Sequence, residues 1–475
     1  MTSPEPSAFS IVQPVYEQFA QDQRIPGLVA GVVHDGRLVH LTTVGFADVE
    51  RETPVTAETG FRIASMTKNV TALAVLMLRD AGAVRLEAPA GDYVPELAAL
   101  PLPTRDSRAV SVRDLLSHVA GLVTDDPWGD RLLGLAPADF TALLATGGLF
   151  AQAPETAFEY SNLGYALLGR VIGNVTGRPY QDWIGEMLLG PLGMASTTFD
   201  VDRIPQAARA TGYRRAPPLW PEPAEPDGEF GAMGGLTTNA LDYARYVAFL
   251  LDAWPPRDGP ETGPARRASI RELALAHAMP GLGEARQVGG AAVPVASAYG
   301  YGLVSSSDAR LGRYLHHAGG LPGYGSHVLL APDAGLGLFA FANRTYPKVS
   351  QANIAAADAL LDAGLWTPRP VALDPRLATV SQAVATAYRL GRIAAAEPHL
   401  APNLLLDVLP ADYDAQLAAL KLRLGDGALL SVTPRHALAG RFVLACERGQ
   451  LTGELILAPG PAPKIQKLTF DPPPA

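Results

Sequence analysis

Hydrophobic and polar positions divide this chain into stretches of clearly different period. Residues 65–82, "SMTKNVTALAVLMLRDAG", are apolar nearly all round and close on Gly82, which predicts a buried helix. Before it, "LVAGVVHDGRLVHLTTVG" places two β-rich runs around Asp35-Gly36, a strong hairpin signal. A helix over 9–24 is expected ahead of Pro26-Gly27. From about 90 to 250 the pattern is mainly helical, with candidates "VRDLLSHV", "PADFTALLAT", "NLGYALLGRVIGNVTG", "PYQDWIGEMLLGPLG" and "NALDYARYVAFLLDA". The proline-dense stretch within 214–235 can be neither helix nor central strand and reads as a long loop or lid. Strand patterns return in "YGYGLVSS", "RYLHHAGG", "SHVLLAP" and "LGLFAFAN", followed by a helix over about 350–364.

This order, helix, strands, helices, strands, helix, predicts an α/β unit with a helical block inserted into it. Pro368-Arg-Pro370 reads as a boundary, giving units 1–368 and 369–475. Beyond it one helix, about 376–395, leads into short runs separated by Gly and Pro turns: "LKLRL", "ALLSVT", "RFVLAC", "LTGELIL" and "IQKLTF". They predict a small antiparallel sheet or half-barrel. No fixed-period repeat is present.

Composition narrows the function classes. With 475 residues and 48% hydrophobic positions the chain has ample material for more than one core. A net charge of −9 argues against a nucleic-acid partner. No run approaches the length of a transmembrane helix, and the N-terminus lacks a basic region followed by an apolar one, so no membrane association and a cytoplasmic location are expected. The single cysteine, Cys446, excludes an intrachain disulfide and a cysteine metal cluster. No metal or cofactor motif appears, and none is expected.

One pair of residues then changes the picture. Of the 38 basic residues only five are lysine, yet one of these, Lys68, stands three positions after Ser65 at the start of the predicted helix. A hydroxyl there sits among unpaired backbone N–H groups, which can stabilise an anion. The positive end of the helix dipole and burial both favour a neutral lysine. A neutral amine beside a hydroxyl is a general base, and arginine could not serve because it keeps its proton. The plain alternative is that Ser65 caps the helix and Lys68 is solvated.

Two further elements matter in combination. "EYSNLGYALLG" sets Tyr160 and Asn162 just before a helix; a Tyr hydroxyl relays a proton if nearby cations lower its pKa, and Asn162 offers a donor and an acceptor. Alternatively, this is an ordinary helix start. "LHHAGGLPGYG" joins His317 to Gly319 and Gly320, where the backbone can approach a ligand and a strand N–H can complete an oxyanion hole. Its alternative is a plain strand end.

In order and spacing, Ser65-x-x-Lys68, Tyr160-Ser-Asn162 and His317-Ala-Gly319 resemble the serine β-lactamase and penicillin-binding-protein superfamily, in its class C branch. "VRDLLSHVAGL", "PLGMASTTF", "GAMGGLTTNALDYARYVAFLL" and "YGYGL" fit the same resemblance, which covers about residues 10–365. It implies an antiparallel sheet flanked by helices with an inserted helical region. It also implies Ser65 as acylated nucleophile, Lys68 and Tyr160 as proton-transfer pair, and Asn162 as holder of the lysine and the substrate amide. The N–H groups of Ser65 and Gly320 would form the oxyanion hole. The departure is His317-Ala, where class C β-lactamases carry Lys-Thr and receive a carboxylate. The expected activity is therefore carboxylesterase-like hydrolysis of a small ester. Alternatives are a D-aminopeptidase acting on a short peptide, a β-lactamase or D,D-peptidase, and a binding protein that keeps the fold. The tail is expected to act as an accessory or dimerisation module. His118 reads as a turn histidine, and Trp128 and the 214–226 segment either line the cleft or only pack.

Overall fold

The computed structural model describes residues 4–214, 219–223, 225–280, 285–288 and 291–471. The chain forms two compact units, Met1–Pro368 and Arg369–Ala475. Part of the proline-dense segment, residues 215–218 and 224, lies outside the described residues.

The first unit is built on an eight-stranded antiparallel sheet. From one edge its strands are Thr53–Pro54, Arg37–Asp48, Gly27–His34, Leu336–Ala342, Tyr324–Ala331, Gly312–Leu321, Val304–Asp308 and Val295–Tyr299. The first and last long strands of the unit are thus neighbours, pairing from Leu28 with Ala342 to His34 with Leu336. The chain between residues 54 and 295 is inserted between the two halves of the sheet, and its longest elements among the described residues are helices.

The unbroken apolar runs follow from burial on both faces. In Gly27–His34, Val29 and Val33 join one hydrophobic core, and Leu28, Ala30 and Val32 join the other. In Leu336–Ala342, Phe339 and Phe341 face the first core while Leu338 and Ala340 face the second. The first core holds the inserted helices, including Val70, Leu73 and Leu167. The second is closed by the terminal helices Gln13–Asp22 and Val349–Asp362, through Tyr16, Ala356 and Leu360.

Two expectations are corrected. "YGYGLVSS" is not one strand: Val295–Tyr299 turns back at Gly300–Leu303 into Val304–Asp308. Gly302, at φ +67°, lets this turn lie against the helix that carries Lys68, where a Cβ would come 2.6 Å from the Lys68 carbonyl oxygen. In the second unit, "LKLRL" ends the helix Pro410–Leu424 rather than forming a strand. Leu417, Leu420 and Leu424 are buried at helical spacing, and the misleading alternate residue, Leu422, is 84% exposed. The remaining tail runs form a four-stranded antiparallel meander, Gly427–His436, Ala439–Cys446, Gly449–Leu457 and Ile465–Asp471.

Candidate active site

Ser65 lies in a single 3₁₀ turn, Ala64–Met66, and the α-helix Thr67–Asp80 begins two residues later. Ala64 adopts φ +48°, a sparsely populated conformation for a residue with a Cβ. Its surroundings hold it there. The Ile63 amide donates to Leu236 O (3.0 Å), and Ser326 Oγ donates to Ile63 O (2.6 Å). Neither the turn nor the helix has a side-chain cap bond, so Ser65 does not cap the helix.

Lys68 is fully buried, and its Nζ has three close oxygen neighbours: Asn162 Oδ1 at 2.6 Å, Met233 O at 2.9 Å and Ser65 Oγ at 3.0 Å. A neutral amine has two N–H bonds and one lone pair. Two of these neighbours are carbonyl oxygens that can only accept, so they take the two N–H groups. The lone pair is left for the Ser65 hydroxyl proton. Burial drives Lys68 down to about 8, opposed by the negative charges of Asp126, Asp130 and Asp125.

Asn162 is oriented by its neighbours: its Oδ1 accepts from Lys68 and its Nδ2 donates to Asp126. Its helix, Asn162–Thr176, is N-capped by Ser161, whose Oγ accepts from the Gly164 amide (3.4 Å), and the Asp125 carboxylate accepts from the amides of Asn162 (2.7 Å) and Leu163 (2.9 Å). Tyr160 shares a side-chain hydrogen bond with Ser65, and its ring centroid lies 4.9 Å from Lys68 Nζ. Its hydroxyl is not acidified as the sequence reading required. Burial pushes Tyr160 well above the ordinary tyrosine value, and the Ser65 bond opposes that only in part. At rest it is therefore a neutral phenol, and Lys68 is the group whose pKa moves toward a base's range.

The third element closes the opposite wall. Gly319 and Gly320 lie on Gly312–Leu321, and a Cβ on Gly319 would stand 2.3 Å from Ile63 O and 3.0 Å from Ala64 Cβ. Only glycine lets this strand pack against the turn that carries Ser65. His317 is buried; its Nδ1 lies 2.6 Å from Ala318 O and its Nε2 3.1 Å from Tyr299 Oη. Because a carbonyl only accepts, Nδ1 carries the proton and Nε2 accepts from Tyr299. Burial and the Lys68 charge lower His317 to about 3, so it is neutral. His316 points to the other face, where Ser306 Oγ is 3.0 Å from its Nε2.

Ser65, Tyr160, His317, Gly319 and Gly320 line one cleft of about 620 Å³, together with Asp126, Asp130, Tyr299 and Tyr346. His118 is buried at the end of helix Val112–Ser117; its Nδ1 accepts from the Ser161 amide (3.1 Å) and its ring lies 4.4 Å from that of Tyr160. It supports the tyrosine from behind. Trp128 stands edge-on to Phe230 and is not among the lining residues. Sequence reasoning missed Asp125, Asp126 and Asp130, which sit in an unpatterned polar loop. Tyr299 carries no signal of its own within "YGYGL". Among the described residues no group of His, Cys, Asp and Glu side chains could hold a metal ion. No helix among them is long and apolar enough to cross a membrane.

A family model described as Beta-lactamase matches residues 12–363, well over half of the chain. An uncharacterized protein of Mycobacterium tuberculosis is 34% identical over 254 residues, covering 48% of this chain and 62% of its own length. The protein flp of Staphylococcus aureus is 26% identical over 340 residues, covering 70% of this chain and 62% of its own. The chain thus spans less than two thirds of these curated relatives. Among solved structures, the octameric penicillin-binding protein homologue from Pyrococcus abyssi superposes with a TM-score of 0.62 at 21% identity, covering 97% of this chain and 94% of that one. That likeness concerns the fold alone.

Proposed function

The chain belongs to the beta-lactamase family, and we propose that it is a serine hydrolase that cleaves a small ester through an acyl-enzyme on Ser65. The observation that carries this is the placement of Lys68 Nζ, whose two carbonyl acceptors leave its lone pair aimed at the Ser65 hydroxyl. As Oγ attacks the substrate carbonyl, Lys68 takes the hydroxyl proton. The developing oxyanion is received by the N–H groups of Ser65 and Gly320. Collapse expels the alcohol, which leaves with a proton passed from Lys68 by way of the Tyr160 hydroxyl. Water then enters, the same pair takes its proton, and the acid departs from Ser65.

An ester fits this cleft because His317 offers no positive charge to a substrate carboxylate: it is neutral, and both ring nitrogens have partners. One observation favours a second reading. Asp126 lines the cleft and supplies a carboxylate for a D-amino substrate's ammonium, while Asp130 beside it is pushed up to about 7 by burial. Self-association through the C-terminal unit belongs to the same proposal, and light scattering on the full chain measures it.

The test is intact-mass spectrometry after reaction with a fluorophosphonate, alongside turnover of a p-nitrophenyl ester. A single adduct that disappears in Ser65→Ala is expected. Ester turnover unaffected by that substitution sinks the reading. A higher kcat/KM on a D-alanine anilide than on the best ester moves the substrate to the D-amide class. Nitrocefin hydrolysis at a comparable rate moves it to β-lactams.

A further inference from the structure

Tyr346 follows the central strand Leu336–Ala342 in the loop that leads to helix Val349–Asp362. Its backbone sits at φ +50°, an uncommon conformation for an aromatic residue. The flanking backbone imposes it. Thr345 is tied on both sides, its amide donating to Tyr213 O (2.9 Å) and its Oγ1 accepting from the Gly323 amide (2.7 Å). The Tyr346 amide itself donates to Tyr324 O (3.3 Å).

So held, the side chain reaches across the cleft. At its base the ring lies against Gly320, where a Cβ would come 2.7 Å from Tyr346 Cδ1. At its tip the hydroxyl donates to Asp130 Oδ2 at 2.7 Å. Asp130 belongs to the 3₁₀ turn Gly129–Arg131 in the inserted region and is 3% exposed. One side chain therefore connects the strand that carries the proposed oxyanion donor to the helical wall opposite. Both ends of the connection line the cleft that contains Ser65.

We propose that Tyr346 and Asp130 form a strap across the cleft that limits the length of the substrate chain passing on that side of Ser65. The pair is specificity-determining, and it selects short-chain esters. The ring fills the space between Gly320 and Asp130, so a longer chain must displace it and break its hydrogen bond to a buried carboxyl group. This rests on the serine-hydrolase reading of the same site.

The experiment measures kcat/KM along two axes, p-nitrophenyl esters from acetate to octanoate and alkyl acetates from methyl to octyl. Tyr346→Ala raises the long-to-short ratio by about tenfold or more on one axis, the scale of discrimination a few methylenes give. Tyr346→Phe and Asp130→Ala keep the ring but lose its anchor, and raise the same ratio by a smaller, matching factor. These two variants carry the test if Tyr346→Ala does not fold. Ratios unchanged on both axes, with Ser65 still labelled by a fluorophosphonate, overturn the strap. Absence of both labelling and turnover in the unmodified chain removes the hydrolase reading itself, and the strap with it.

Discussion

Two concavities of the first unit differ in size and in how their charges are paired. A groove of about 1230 Å³ is lined by Arg178, Asp182, Glu186, Arg203, Asp242 and Arg245 among others. Its charges are largely paired with one another at the surface. Arg178 meets Glu186 at 2.6 Å, Arg245 meets Asp242 at 2.6 Å and Arg203 meets Asp200 at 3.6 Å. The Ser65 cleft, at about half the volume, has the opposite arrangement. Lys68 is buried within reach of three carboxylates yet hydrogen-bonded to none, its Nζ being taken by Ser65, Asn162 and Met233. An ion pair would have fixed the lysine in its charged state. Bonding it to neutral oxygens, with the carboxylates one shell away, leaves its proton movable.

The largest effect that separates the two concavities is expected from Lys68→Arg. Arginine keeps a charge of the same sign but cannot give up its proton. Acylation of Ser65 should fall by about 10²–10⁴-fold, the usual worth of a positioned general base. Arg178→Lys, the reverse exchange in the larger groove, should leave turnover unchanged. Comparable losses in both variants, measured by pre-steady-state release of p-nitrophenol, would show that the groove also takes part in the chemistry.

A second contrast uses glycine. Gly319→Ala places a methyl group 2.3 Å from Ile63 O, a backbone atom, so strand and nucleophile turn must move apart. Overpacking of this kind costs about 1–3 kcal/mol, and a displacement of about 1 Å at the reacting centre costs about 10²-fold in rate. Gly185, on the wall of the larger groove, is helical at φ −56° with nothing within 4 Å of an added Cβ. Gly185→Ala should be neutral or stabilising by up to about 1 kcal/mol. Urea denaturation and kcat on both variants check this. Equal effects would mean that the strand's approach to Ser65 is not what requires glycine.

The same contrast explains what could be read from the chain. Ser65 and Lys68 were legible because their spacing at a helix start is chemically unusual, and Gly319 because a glycine pair stands within a strand. The sheet's centre was legible because burial on both faces leaves continuous apolar runs such as Leu336–Ala342. Asp126 and Asp130 were not legible: their effect on Lys68 depends on a loop path that no period encodes. Whether nearby cations acidify Tyr160 was not legible either, since sequence names its neighbours but not the depth of burial, which here outweighs them. Leu422 misled for a related reason, an exposed leucine completing an alternation that the helix does not use.

The smallest expected effect is also the sharpest test of how the cleft holds its lysine. Lys68 stands at about 8 because burial lowers it while the carboxylates, Asp126 foremost, hold it up. Below that value the amine carries its proton and Ser65 has no base. So kcat/KM should climb by about tenfold per pH unit below 8 and level off above it. Asp126→Asn removes the leading opposing charge and keeps an amide oxygen able to accept from Asn162 Nδ2. Ammonium is then less favoured, Lys68 titrates lower, and the midpoint of the profile moves toward acid. Activity at pH 7 should therefore rise relative to the variant's own plateau, even if the plateau itself drops. Asp182→Asn, a charge removed from the larger groove, should leave the midpoint in place. A midpoint that stays put or moves toward base in Asp126→Asn would mean that the titrating group is not Lys68.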